Sequence, residues 1–133
     1  MHKIEHIGIA VQSLKDSIPV FEKLLNTMCY KTEIVESENV RTAFLKVGES
    51  KIELLEDASE DGIIKKFIDK KGEGIHHIAI EVKNINEEIE RLKKEGFLLI
   101  NENPKQGADN KLICFLHPKS SNNVLIELCQ EIK

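Results

Sequence analysis

The chain carries the same eight-residue pattern twice, and that duplication restricts its fold more than any other feature. Ile4-Glu5-His6-Ile7-Gly8-Ile9-Ala10-Val11 and Ile75-His76-His77-Ile78-Ala79-Ile80-Glu81-Val82 agree at five of eight positions, at a constant offset of 71. Each copy leads into a helical pattern: Leu14, Ile18, Phe21 and Leu25 after the first, Ile85, Ile89 and Leu92 after the second. Apolar residues three and four apart form one stripe on a helix and face a core. Asn84 with Glu87 fits a helix N-cap and its N3 partner. Pro19 has no N–H to give, so the first helix is expected to start near Ser17 or to bend at the proline.

Three strand-like stretches follow each helix. They are roughly Tyr30–Val35, Val40–Val47 and Ser50–Leu55, then Phe97–Ile100, Lys111–Leu116 and Val124–Cys129. Both halves therefore read β-α-β-β-β. Between them, residues 61–70 have helical spacing through Ile64, Phe67 and Ile68, and Lys71-Gly72-Glu73-Gly74 reads as a linker. The expected organisation is one domain over residues 1–133, with a module at about 3–56, a connecting helix at about 61–70 and a second module at about 75–130. A period of about 70 is too long for a solenoid and points to paired modules.

Composition removes several function classes. Hydrophobic content of 41% and charged content of 32% belong to a globular chain that can bury its own core. The longest apolar runs are far too short for a bilayer, and no charged-then-apolar leader opens the sequence, so no membrane partner and a cytoplasmic location are expected. A net charge of −4 and 5% aromatic residues argue against nucleic acid. Cys29, Cys114 and Cys129 are an odd, scattered set with no C-x-x-C, which fits a reducing compartment rather than a disulfide framework. Cys114 and Cys129 lie in apolar runs, where a free cysteine is usually a small core residue.

The polar residues inside the repeat carry the chemistry. Alternation along a strand puts Ile7, Ile9 and Val11 on one face and His6, Gly8 and Ala10 on the other. The second copy puts His77 and Ala79 on the matching face. Each module also ends in an apolar strand with one acid, Glu53 in Lys51-Ile52-Glu53-Leu54-Leu55 and Glu127 in Val124-Leu125-Ile126-Glu127-Leu128. Glu53 alone would equally fit an edge strand with its acid in solvent. Glu127 would not, because a carboxylate in so apolar a strand needs a partner or a metal. Glu53 follows His6 by 47 residues and Glu127 follows His77 by 50, so pseudo-twofold symmetry would bring all four together. Two imidazoles and two carboxylates suit a divalent ion such as Co, Mn, Ni, Fe or Zn, with two positions of a six-coordinate ion left for a chelating substrate.

His-Ile-Gly-Ile-Ala-Val followed by Lys-Ile-Glu-Leu-Leu-Glu resembles the first half of the vicinal oxygen chelate superfamily. Lys71-Gly72-Glu73-Gly74-Ile75-His76-His77-Ile78-Ala79, Phe115-Leu116-His117-Pro118-Lys119-Ser120 and Val124-Leu125-Ile126-Glu127-Leu128 resemble, more narrowly, its methylmalonyl-CoA epimerases. The resemblance covers essentially the whole chain. It implies an α+β fold of two βαβββ modules forming a curved, half-open barrel with the helices outside, usually as a homodimer. It places the metal ligands at His6, Glu53, His77 and Glu127, with cobalt the first expectation for the ion, and turns His76 to the opposite face. It implies interconversion of (2R)- and (2S)-methylmalonyl-CoA in propionate metabolism, by removal of the α-proton and its return on the other face.

Two departures from the family pattern stand out. An acidic residue on the third strand of some members falls at Thr42 here, which cannot move a proton in its place. Where many members have a glycine pair before a basic residue, this chain has Asp109-Asn110-Lys111. The acid/base groups are therefore expected to be Glu53 and Glu127, one for each face, with Glu81 and Glu38 as rivals. Lys105, Lys111 and Lys119 are the candidates for CoA phosphates. A glyoxalase I-type isomerase shares the ligand set and the proton transfer, but the first strand offers no obvious arginine for glutathione. A non-catalytic binding module generally lacks the full ligand set, and an extradiol dioxygenase uses only two histidines and one carboxylate.

Overall fold

The computed structural model describes all 133 residues. In chain order the elements are β1 (Lys3–Ala10), α1 (Leu14–Leu25), β2 (Lys31–Val35), β3 (Val40–Val47), β4 (Ser50–Asp57), α2 (Ile63–Lys71), β5 (Gly74–Glu81), α3 (Ile85–Lys94), β6 (Lys105–Gln106), β7 (Lys111–Leu116) and β8 (Ile126–Glu131). The α+β class is the one expected. The chain forms two compact units, His6–His76 and His77–Lys133 with Met1–Glu5, so β1 contributes its first residues to one and the remainder to the other.

In the unit His6–His76 the strand order is β2-β3-β4-β1. The β2–β3 and β3–β4 pairs are antiparallel, and β4 lies parallel to β1. Val11, Ala43, Leu45 and Leu54 form the core on one face, covered by Leu14, Ile18, Phe21 and Leu25 of α1. That is the helical stripe read from the sequence. Of the two expectations for Pro19, a start near Ser17 is removed, for the helix begins at Leu14, where the Ser13 hydroxyl accepts the Asp16 N–H at 3.2 Å. Pro19 sits inside it. The proline forfeits one bond, to the carbonyl four residues earlier, and burial of the stripe outweighs that loss. α2 is held at its first turn by Asp57, whose carboxylate accepts the N–H groups of Ile64 (3.0 Å) and Lys65 (2.5 Å).

In the other unit the order is β5-β8-β7-β6, with the first residues of β1 at the outer side of β5, where His2 N–H donates to the Glu81 carbonyl at 2.8 Å. Val82, Ile85, Ile89, Leu92, Cys114, Leu116 and Leu128 make its core. Asn84 caps α3 by accepting the Glu87 N–H at 3.1 Å, as its position implied. The strand expected over Phe97–Ile100 is reduced to an isolated bridge between Leu99 and Leu116. Ile100 N–H reaches the Phe115 carbonyl, but Phe115 N–H is taken by the Asn101 side-chain oxygen at 3.0 Å. A side chain thus ends the ladder that a backbone carbonyl would have continued. Pairing with β7 resumes only at Lys105 and Gln106.

Candidate metal centre

The first histidine is positioned by parallel pairing. β1 and β4 run side by side with Gly8 in register with Glu53, so His6 lies two residues back on the same face. Gly8, beside Glu53 on that face, has no side chain, and His6 Nε2 comes to 3.2 Å from Glu53 Oε1. Both residues are buried, Glu53 at 4% exposure. The solvent-facing alternative for Glu53 is thereby removed.

The second pair repeats this arrangement in its own unit. β5 and β8 are parallel, Ala79 is in register with Glu127, and His77 lies two residues back. His77 Nε2 is 3.3 Å from Glu127 Oε1, with both side chains buried. Each histidine therefore meets a carboxylate across a small residue, at the same register and nearly the same distance. Two donors bound at right angles to one ion, each about 2.1 Å from it, lie about 3.0 Å apart. The nitrogen–oxygen separations in both pairs fit that requirement, and the donor chemistry suits a first-row divalent ion.

A third residue belongs to each pair that the sequence reading passed over. Phe44 on β3 lies directly opposite Glu53, and Phe115 on β7 directly opposite Glu127. The rings of His6 and Phe44 meet edge to face, 6.5 Å between centroids and 82° between planes; those of His77 and Phe115 do the same at 5.9 Å and 87°. The two phenylalanines stand 71 positions apart, the offset of the repeat.

Other expected residues fall in varied places. Thr42 is fully buried, two residues from Phe44 on the same face of β3, and its hydroxyl donates to the Glu33 carbonyl at 3.4 Å. Glu81 ends β5 and contacts His2 at 2.7 Å, while Glu38 closes a short 3-10 turn before β3. His76 turns away from its neighbour His77 and packs edge-on against Phe67 of α2, 5.0 Å between centroids. Lys105 and Lys119 are exposed. Lys111 is buried at 7% exposure; it opens β7, the strand expected over Lys111–Leu116, and is paired with Glu131. Asp109 and Asn110 both adopt positive φ, which their short polar side chains tolerate better than most.

Cys114 and Cys129 are buried, and burial together with the Glu127 carboxylate pushes the Cys114 thiol up to about 12 and raises that of Cys129 as well. Neither has the depressed value that a nucleophilic thiolate needs. No helix is long and apolar enough to cross a membrane.

The model of the Glyoxalase/Bleomycin resistance protein/Dioxygenase superfamily matches residues 5–115. An uncharacterized protein of Bacillus subtilis is 39% identical over 130 residues, which cover 98% of this chain and 93% of that protein. Human mitochondrial methylmalonyl-CoA epimerase is 36% identical over 129 residues, covering 96% of this chain and 73% of the human one. A methylmalonyl-CoA epimerase solved in complex with methylmalonyl-CoA and ammonium superposes with a TM-score of 0.93 at 32% identity, over 98% of this chain and 95% of the other.

Proposed function

Since the chain belongs to the glyoxalase/bleomycin resistance protein/dioxygenase superfamily, we propose that it is a methylmalonyl-CoA epimerase acting through His6, Glu53, His77 and Glu127. The observation that carries this reading is the duplicated, buried histidine–carboxylate pair with matching register and separation. A histidine must be neutral to ligate, so the charge at each pair is set by its glutamate, and with both glutamates ionised the pairs balance a divalent cation. The names of relatives at 33–36% identity support the substrate.

The substrate's α-hydrogen lies between a thioester carbonyl and a carboxylate. A divalent ion, when bound, supplies Lewis-acid stabilisation to negative charge developing on the thioester oxygen. The residues of the chain do the remainder. One glutamate, ionised, takes the proton as the C–H electron pair moves toward the thioester oxygen, and the other, starting protonated on the oxygen that does not ligate, gives its proton to the opposite face. A carboxylate has two oxygens, so one can ligate while the other accepts the proton. Exposed Lys105 and Lys119 are the candidates for the CoA phosphates; the burial of Lys111 takes it off that surface. Cobalt as the ion, a homodimer as the assembly and propionate metabolism as the setting complete the proposal on resemblance, and the cytoplasm as the location on composition.

The test is a comparison of two substrates. Purified protein should equilibrate (2R)- and (2S)-methylmalonyl-CoA, and should leave the hemithioacetal of methylglyoxal and glutathione unchanged. Turnover of the hemithioacetal alone would move the assignment to a glyoxalase I-type isomerase.

A further inference from the structure

We infer that Phe44 and Phe115 are positioning residues, each fixing the imidazole of its own pair in a single orientation and shielding it from water. The torsion that turns a histidine ring about its Cβ–Cγ bond has a broad, weak preference. Burial alone does not choose between orientations that aim Nε2 at the carboxylate and those that aim a carbon. A neighbour of fixed geometry does. In both units that neighbour is a phenylalanine in register with the glutamate, meeting the imidazole edge to face. Edge-to-face contact is favoured because the positive rim of one ring meets the negative face of the other, and turning the imidazole would lose it.

Three side chains thus make up each histidine–carboxylate pair with its neighbour: a phenylalanine and a glutamate opposed on antiparallel strands, and a histidine on the strand beyond. The halves are not equivalent. Phe44 is 1% exposed and has Tyr30 behind it, 6.2 Å between centroids, whereas Phe115 is only partly buried. Replacing Phe115 therefore disturbs the core less, which makes it the cleaner variant. The part of the inference that concerns metal retention rests on the proposed function; the part that concerns ring order and shielding does not.

The experiment uses the full chain with metal removed, treated with diethyl pyrocarbonate and mapped histidine by histidine by mass spectrometry. Exposed His2 sets the reference rate. In the wild type, His6 and His77 should react far more slowly than His2. Phe115→Leu should speed modification of His77 about tenfold and leave His6 unchanged, Phe44→Leu should do the reverse, and Phe115→Tyr should keep the wild-type pattern. Unchanged reactivity of His77 in Phe115→Leu overturns the inference. So does an equal increase at His6 and His77 in that variant, which marks general loosening. A second readout is divalent-metal affinity by chelator competition. Phe115→Leu should weaken it about tenfold, as loss of an outer-shell partner does, with Phe115→Tyr close to wild type. A wild-type protein that binds no divalent ion would remove the metal reading, and the histidine modification pattern would still decide the role of the phenylalanines.

Discussion

His77 Nε2 stands 3.3 Å from Glu127 Oε1 on the adjacent parallel strand, reaching it across Ala79, whose side chain is a single methyl group. His6 reaches Glu53 across Gly8 in the same way. The first prediction follows from the dependence of both pairs on a small residue at that register. Ala79→Leu, like His77→Ala, should lose most of the bound metal, because the added bulk would part imidazole from carboxylate. Elemental analysis of purified variants measures this, with His6→Ala as the matching control. Metal content equal to wild type in both histidine variants would remove the site.

Glu53→Gln and Glu127→Gln should each slow epimerisation by about 10²–10⁴, since an amide keeps the shape but cannot take the proton. In heavy water each variant should still exchange the C2 hydrogen of one epimer without inverting it. Thr42→Ala should retain most activity, because the hydroxyl of Thr42 is spent on the Glu33 carbonyl. Full activity in Glu53→Gln, together with loss in Glu81→Gln or Glu38→Gln while metal is retained, would make Glu53 a ligand only.

The lysines separate by burial. Charge reversal at exposed Lys105 or Lys119 should raise KM and leave kcat nearly unchanged, with high salt having a similar effect on the wild type. Lys111→Glu should instead lower thermal stability, because it puts a new carboxylate in a buried position opposite Glu131. Steady-state kinetics and a melting curve on the same three variants distinguish these outcomes.

Asp57 is the anchor of α2, accepting two backbone N–H groups of its first turn. Asp57→Ala should cost about 1 kcal/mol, the usual worth of a helix cap, and lower Tm by about 4 °C. Gly62 is tied to the same carboxylate, for a Cβ at position 62 would fall on it. Gly62→Ala should therefore also destabilise. The double variant should be no worse than Asp57→Ala alone, since the obstacle is then gone. Additive losses in the double variant would contradict the coupling.

Much of the fold was legible because the repeat is short-range and periodic. β1, β5 and the stripes of α1 and α3 need only alternation and helical spacing to be seen. The strand expected over Phe97–Ile100 was misread because its β pattern is real; one side chain, Asn101, decides that the ladder stops, and no periodicity reports that. The burial of Lys111 was equally invisible: the sequence puts it at the start of a strand, but what covers its side chain is a tertiary fact. Phe44 and Phe115 could have been found, because they share the offset of 71 with His6 and His77. A phenylalanine in an apolar strand is ordinary core, however, and only the edge-on contact with the histidine sets these two apart.

If His6, Glu53, His77 and Glu127 hold a divalent ion that makes the α-proton of methylmalonyl-CoA exchangeable, stripping that ion must stop the exchange. Proton NMR of methylmalonyl-CoA in heavy water, with catalytic amounts of the protein before and after chelator treatment, tests it most directly. The C2 hydrogen signal should disappear as both epimers form, persist once the metal is stripped, and disappear again when cobalt is restored. Exchange that continues at the same rate in the metal-free protein, or no exchange in the metal-loaded one, would contradict it.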